Sequence, residues 1–214
     1  MYMQCKHDST LQSLGGIYSV CLHVVGSMVR QPTLIIDLGS RHGEGFEQFG
    51  CHFADARYVF VEPTKSCARY IDDVILTNPA ANIQFVRGVL GDVASTIPMN
   101  VFPHDNDMSS NLYSDRKCVY GQPSVEIVDV LPYDVIKIKQ DDVVFAKVNI
   151  EGAEYDLIET PFFDKIDSFV MEVHNGITRQ TYVDAVASLL PRYELTSYGN
   201  TSYKYCFLIG HRRI

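Results

Sequence analysis

Short apolar runs rich in β-branched residues alternate with helix-like segments from residue 33 onward, and this alternation limits the fold more than any other feature. The predicted strands span residues 33–38, 57–62, 142–150 and 167–174, and residues 82–92 are predicted to form a strand followed by a turn. The predicted helices span residues 43–53, 63–76, 152–163 and 178–190. Such alternation is typical of a parallel sheet with helices on both faces. The sequence therefore predicts an α/β protein with a doubly wound, mostly parallel sheet.

Three segments depart from this alternation. Residues 98–124 contain three prolines and many Asn, Asp and Ser residues, which predicts an irregular insertion, with room for a hairpin. Residues 192–199 and 203–212 are predicted to form a C-terminal antiparallel hairpin. The apolar segment from Leu14 to Val29 is predicted to form a helix beside the domain, because it is too short to span a bilayer. We therefore expect an N-terminal helical segment over 1–32 and one domain over 33–214.

Composition excludes several classes of function. The net charge of −8 disfavours a duplex nucleic-acid partner, since such proteins present many Lys and Arg side chains to phosphates. Six cysteines are scattered without a C-x-x-C pair, at positions 5, 21, 51, 67, 118 and 206. This spacing predicts free thiols in a reducing compartment rather than a zinc site or a disulfide scaffold. We expect a cytoplasmic protein without a membrane span.

Polar or acidic residues finish the predicted strands. They are Asp37, Glu62, Asp92, Asn149 with Glu151, and Glu172 with His174. In an open parallel sheet, ligands bind beyond the carboxyl ends of the strands. The sequence therefore predicts one ligand site along this edge of the sheet.

A glycine-rich turn follows the first strand of the domain. Gly39, Gly43 and Gly45 give the spacing G-x-x-x-G-x-G instead of the G-x-G-x-x-G of dinucleotide sites, and Asp37 stands at the start of the turn. An unpaired carboxylate there would repel a pyrophosphate but suit an ammonium group. S-adenosylmethionine fits this pattern, with Glu62 placed to accept hydrogen bonds from its ribose hydroxyls and Asp92 from its adenine amino group.

Several motifs occur in an order that resembles the FkbM-like methyltransferases. They are "IIDLGSRHGEG", "VFVEPTKS", "VRGVLGD", "MSSNL", "VDVLPYDVI", "AKVNIEGAEYDLI" and "VMEVH". The resemblance runs from about Leu34 to His174, and the E-G-A-E element is its most specific part. It implies a Rossmann-like, S-adenosylmethionine-dependent O-methyltransferase. It also implies an acceptor hydroxyl on a sugar, a glycan or a small metabolite.

The resemblance also assigns residues to the cofactor. Carried onto this chain, the cofactor residues are Asp37, Gly39, Gly43, Glu62, Asp92 and Ser110, with Ser109–Ser110 over the pocket. Two positions depart from the family pattern. Asn149 replaces an Asp near the sulfonium or the acceptor, and Ser40–Arg41 replaces Ala-Asn, which places a cation where it could clamp the cofactor carboxylate or remain solvated.

Candidate catalytic residues lie at the ends of the later strands. A hydroxyl acceptor gains from a general base, and His174 is the candidate because neutral imidazole is available near pH 7. Strand alternation places Glu172 on the same face, where it would orient the ring or anchor the substrate. Glu151 faces the pocket from the strand-to-helix turn, and Glu154 complements the helix dipole. A Mg²⁺ or Mn²⁺ site built from Glu151, Glu172 and His174 is a weaker alternative, and no metal is predicted.

Two other functions remain open. A nicotinamide-dependent oxidoreductase on the same scaffold is disfavoured by the missing G-x-G-x-x-G spacing. A catalytically weak or inactive cofactor-binding partner protein is suggested by Asn149. The sequence does not identify the acceptor, and a homodimeric assembly is left open.

Overall fold

A computed structural model describes residues 6–7, 16–102, 123–174, 187–189, 191–200 and 205–213 of the chain. The helices are α1 (Ile17–Ser27), α2 (Glu44–Gln48), α3 (Lys65–Thr77) and α4 (Glu154–Ile158). Short 3₁₀ helices span Gly50–His52, Tyr133–Val135 and Pro161–Lys165. The strands are β1 (Lys6–His7), β2 (Leu34–Leu38), β3 (Arg57–Val61), β4 (Ile83–Val86), β5 (Val89–Gly91), β6 (Ser95–Val101), β7 (Ser124–Pro132), β8 (Val144–Val148), β9 (Ser168–Val173), β10 (Tyr193–Asn200) and β11 (Tyr205–Arg212).

Eight of these strands form one sheet in the order β1-β10-β11-β9-β8-β2-β3-β4. The neighbours from β9 to β4 are parallel, and β11 runs antiparallel to both β9 and β10. The order reverses between β2 and β8, which pair although more than a hundred residues separate them. The predicted α/β fold, with a mostly parallel sheet and a C-terminal antiparallel hairpin, is confirmed.

The core lies on both faces of this sheet, because β2, β3, β8 and β9 are buried on both sides. One face packs Leu34, Ile36 and Leu38 against residues of α4 and of the 3₁₀ helix at Pro161–Lys165. The other face packs Ile35 against α1, α2 and α3. Continuous apolar strands of this kind are what a parallel sheet covered by helices requires.

The N-terminal helix α1 joins the second of these core layers. Its buried side chains are Ile17, Val20, Cys21, Val24 and Val25. The helix predicted within residues 14–29 is therefore present, whereas the division of the chain at residue 32 remains a prediction. Among the described residues, no helix has both the length and the apolar character needed to cross a membrane. The cytoplasmic location stays a prediction.

The segment over 82–92, predicted as a strand and a turn, is two strands in two different sheets. β4 continues the main sheet, whereas β5 belongs to a second, three-stranded sheet of order β5-β7-β6. β6 and β7 pair antiparallel from Ser95↔Val130 to Val101↔Ser124. The predicted insertion therefore begins and ends in paired strands, and its residues 103–122 lie outside the described part of the chain. Most of the helix predicted over 178–190 lies outside it as well.

Candidate functional site

The turn after β2 packs directly against the backbone of Asn149 at the carboxyl edge of the sheet. Gly39 has a φ of 72°, and a Cβ atom there would lie 1.8 Å from the carbonyl oxygen of Asn149. Gly43 precedes α2 with a φ of 83°. The Gly39 amide donates to the Val61 carbonyl at 3.0 Å, which ties the turn to the end of β3. Glycine at position 39 is thus required for both the conformation and the close approach.

We expect Gly39→Ala to destabilise the protein by at least about 2 kcal/mol, since left-handed backbone and a steric clash act together. Gly26→Ala is the matched control, because Gly26 is an exposed helical residue with no atom within 4 Å of the added methyl. That control should be neutral or stabilise the protein by up to about 1 kcal/mol. Urea unfolding followed by circular dichroism measures both values. Equal effects of the two variants would contradict this account of the turn.

Asp37 is buried, and it is paired. Its carboxylate lies 2.9 Å from the Lys147 ammonium and accepts a hydrogen bond from the Tyr58 hydroxyl at 2.9 Å. Asp37 and Lys147 are opposite each other in the β2–β8 register. The expectation of an unpaired carboxylate at the start of the turn is therefore wrong. Asp37 neutralises a lysine beneath the glycine turn, and any role in cofactor binding is exerted through the turn itself.

Lys147 was not identified from the sequence, although it interrupts the apolar strand at 142–150. Its Nζ donates to the carbonyl oxygens of Gly39 at 2.7 Å and Leu38 at 3.2 Å. Burial is the largest single influence and lowers the pKa of Lys147, but Asp37, Tyr18 and Cys21 together outweigh it and raise that pKa above its ordinary value. A charged lysine therefore fastens the start of the glycine turn to β8. A single lysine within an otherwise apolar strand was the sequence feature that could have indicated a buried ion pair.

Glu62 follows β3 and is held beside the same turn. Its carboxylate accepts hydrogen bonds from the Arg41 amide at 2.9 Å, the Thr64 amide at 3.0 Å and the Thr64 hydroxyl at 2.8 Å. Burial raises the pKa of Glu62, and these three donors act against that rise. Since each carboxylate oxygen can accept two hydrogen bonds, the group retains capacity for a further donor. The predicted ribose acid is thus rigid and adjacent to the glycine turn.

The two residues that depart from the family motif contact the protein itself. The Ser40 hydroxyl is buried, donates to the Asp37 carbonyl at 2.5 Å and accepts from the Val61 amide at 3.0 Å. The Arg41 guanidinium donates to Glu44, the first residue of α2, at 3.1 Å in a salt bridge. The predicted clamp of Arg41 on a cofactor carboxylate stays a prediction. In the structure, these contacts of both residues shape the turn and the start of α2.

The predicted adenine residue Asp92 does not follow a strand of the main sheet. Asp92 is exposed and follows β5, so it belongs to the edge of the three-stranded sheet rather than to the end of a main-sheet strand. Its predicted contact with adenine remains a prediction. Ser109 and Ser110 lie outside the described residues.

His174, directly after β9, lies between two carboxylates. Its Nδ1 is 2.8 Å from Glu154 Oε1, and its Nε2 is 3.2 Å from Glu151 Oε1. Burial opposes a charged ring, but the hydrogen bonds to Glu151 and Glu154 prevail and raise the pKa of His174 to about 10. Both ring nitrogens carry a proton in such an arrangement, since carboxylates only accept.

The expectation that His174 is neutral near pH 7 is therefore wrong. A ring with both nitrogens protonated and both bonded to carboxylates has no acceptor for a substrate proton. Glu154 is fully buried, and its Oε1 accepts from the Ile150 amide at 3.2 Å and lies 2.8 Å from His174 Nδ1. Its first-turn location in α4 agrees with the helix-dipole interpretation.

Asn149 and Glu172 complete the carboxyl edge of the sheet. Asn149 Nδ2 donates to Glu172 Oε2 at 3.0 Å, and Glu172 Oε1 lies 4.0 Å from His174 Nε2. The structure thus brings Glu151, Glu172 and His174 together, as predicted. Across the described ranges, no group of three or more His, Cys, Asp or Glu side chains has an arrangement that could hold a metal ion.

Comparison with known proteins shows that the chain shares its fold with solved structures. No family model and no curated protein matches the chain. Its structure resembles the methyltransferase FkbM from Methylobacillus flagellatus KT, with a TM-score of 0.60 and 17% sequence identity over 94% of this chain and 49% of that protein. A precorrin-6y C5,15-methyltransferase from Geobacter metallireducens aligns with a TM-score of 0.49 and 13% identity, over 98% of this chain and 95% of that one. The chain spans about half the length of the FkbM structure, and at this identity the likeness establishes the Rossmann-like fold.

Proposed function

We propose that the protein is an S-adenosylmethionine-dependent methyltransferase that methylates a hydroxyl group of a sugar, a glycan or a small metabolite. The observation that carries the proposal is the pairing of a rigid glycine turn with a buried acid. Gly39 lets the turn pack directly on the Asn149 backbone, and Glu62 is held beside that turn by the Arg41 and Thr64 amides. A turn and an acid in this relation suit an amino-acid end and a ribose.

The fold supports the same proposal. The turn follows β2, which pairs with β8 where the strand order reverses, and ligands of open α/β sheets bind at that point. The structural likeness to a methyltransferase named FkbM agrees with it. S-adenosylmethionine would supply a methyl group already activated by the sulfonium charge. The task left to the protein is to hold the acceptor oxygen close and in line, which is where effective molarity accelerates such a displacement.

Ligand-induced stabilisation tests the proposal directly. At 100 times the dissociation constant, S-adenosylmethionine or S-adenosylhomocysteine should add about 2.7 kcal/mol, which raises Tm by roughly 5–10 °C for a chain of this size. NAD should leave Tm unchanged. Stabilisation by NAD alone would favour the oxidoreductase. Binding of the adenosyl compounds, with no methyl transfer in a screen of hydroxyl acceptors, would favour a non-catalytic partner protein.

Glu62→Gln tests the residue that carries the proposal. Loss of the charged acceptor should raise the Kd for S-adenosylhomocysteine roughly tenfold to hundredfold in titration calorimetry. Glu47→Gln is the matched control, because Glu47 is exposed on α2. An unchanged Kd in Glu62→Gln would remove the assignment of Glu62 to the ribose.

A further inference from the structure

Asn149 and Glu172 face each other across β8 and β9. Val148 pairs with Met171 in the parallel register, so the residues that follow are neighbours at the carboxyl edge of the sheet. The amide of Asn149 donates to Glu172 Oε2 at 3.0 Å, which leaves Oε1 turned toward the same side as His174. Within the described ranges, the Oδ1 atom of Asn149 is buried without a hydrogen-bond partner. A hydrogen-bond donor on a bound ligand would satisfy this oxygen atom.

The charges around Glu172 come from each element packed against it. His174 follows the strand that carries Glu172, Lys147 lies on β8, and Glu151 and Glu154 follow β8. On the other side, β11 places the uncharged Phe207 opposite it. Burial raises the pKa of Glu172; His174 and Lys147 lower it, Glu151 and Glu154 raise it, and the net direction is upward. A carboxylate of raised pKa is a stronger base near neutral pH.

We propose that Glu172 is the general base that takes the proton of the acceptor hydroxyl, and that Asn149 and His174 are its positioning residues. This inference rests on the proposed methyltransferase function. The proton passes to Glu172 Oε1 as the acceptor oxygen bonds to the methyl carbon and the methyl–sulfur bond breaks. The products are a methyl ether and S-adenosylhomocysteine, and the protonated Glu172 then releases its proton to solvent.

The neighbouring groups fit this role less well. Glu154 is fully buried, and its Oε1 is already shared by His174 and the Ile150 amide. Glu151 Oε1 already lies 3.2 Å from His174 Nε2 and is occupied by that contact. Glu172 Oε1 is 4.0 Å from that ring, beyond hydrogen-bond range, and its side chain is 20% exposed. The Glu172 side chain is therefore ionisable and accessible to a ligand, and its Oε1 atom still has capacity to accept a proton.

The residue type at position 149 follows from the same pairing. Asparagine donates a hydrogen bond to the Glu172 carboxylate, which holds it in place in its ionised form. An aspartate at this position would offer no donor and would add a like charge, so that one carboxylate of the pair would remain protonated. Asparagine at position 149 is thus suited to holding an ionised Glu172 in place.

Glu172→Gln separates catalysis from binding. We expect the Kd for S-adenosylhomocysteine to stay within about twofold, whereas S-adenosylhomocysteine release with the best acceptor of a hydroxyl panel falls roughly 100-fold or more. Glu159→Gln, an exposed change of the same kind on the α4 side, should alter neither value. A tenfold weaker Kd would make Glu172 a cofactor ligand and overturn the assignment. Failure of the wild type to bind the adenosyl compound would instead contradict the proposed function.

Asn149→Asp tests the positioning role without an acceptor. Carbon-13 NMR of the Glu172 carboxyl in the ligand-free protein should show titration at a higher pH in this variant than in the wild type, by about one pH unit or more. The acid limb of the pH–rate profile should move in the same direction with any acceptor that turns over. Asn82→Asp, at an exposed position, is the control and should move neither. An unchanged Glu172 titration in Asn149→Asp would overturn the inference.

Discussion

Lys147→Met should destabilise the protein by about 3–5 kcal/mol, because it leaves the buried Asp37 carboxylate without its counter-ion. The same change removes the donor to the Leu38 and Gly39 carbonyls, so the hydrogen bonds that connect the glycine turn to β8 through this side chain are lost. Affinity for S-adenosylhomocysteine should fall together with stability. Urea unfolding at pH 7 gives the first value, and calorimetry at a temperature where the variant is folded gives the second.

A double variant separates the ion pair from simple packing. In Asp37→Asn with Lys147→Met, no uncompensated charge is buried, so the double variant should be more stable than Lys147→Met alone. Lys139→Met is the matched single control, since Lys139 is exposed, and it should stay within about 0.5 kcal/mol of the wild type. Additive effects of the Asp37 and Lys147 changes would show that the pair does not act as a unit.

The strands of the main sheet could be predicted from the sequence because burial on both faces makes them continuous apolar runs. The strand predicted over 33–38 is β2 at Leu34–Leu38, and that over 167–174 is β9 at Ser168–Val173. The strand predicted within 82–92 is present as β4, but the second strand of that segment, β5, was missed for a physical reason. β5 pairs with β7, about forty residues further along the chain, and no local pattern reports such a distant partner.

The candidate site was predicted in part, for a related reason. Strand ends can be identified locally, so Glu62, Glu172 and His174 were found where the structure has them. The partner of each charge depends on which strands are neighbours. Lys147 lies opposite Asp37 only because β8 is inserted beside β2, and this order was not predicted. Because the strand order was not known from the sequence, Asp37 was expected to be unpaired. Because the contact with Glu154 was not known either, His174 was expected to be a neutral base.

Stability should fall as the pH rises from about 6.5 toward 10, because the folded protein holds His174 in its charged form. The pKa of His174 is about 10 in the folded state against 6.5 for the ordinary residue. A group whose pKa is raised by folding contributes its full stabilisation below the unfolded pKa and loses it as the pH passes through the folded pKa. The loss attributable to this one residue is on the order of 4 kcal/mol.

A comparison with His174→Gln isolates this residue from other groups that titrate in the same range. Burial also raises the pKa of Cys21 and of Tyr58, so both add to the alkaline loss, but they do so equally in wild type and variant. The difference in unfolding free energy between the two proteins should therefore shrink steadily from pH 6.5 to pH 10. His23→Gln, at an exposed position on α1, should give a flat difference. Imidazole NMR should place the His174 titration near pH 10; a titration near pH 6.5 would mean that Glu151 and Glu154 do not hold a charged ring, and would return His174 to consideration as the base.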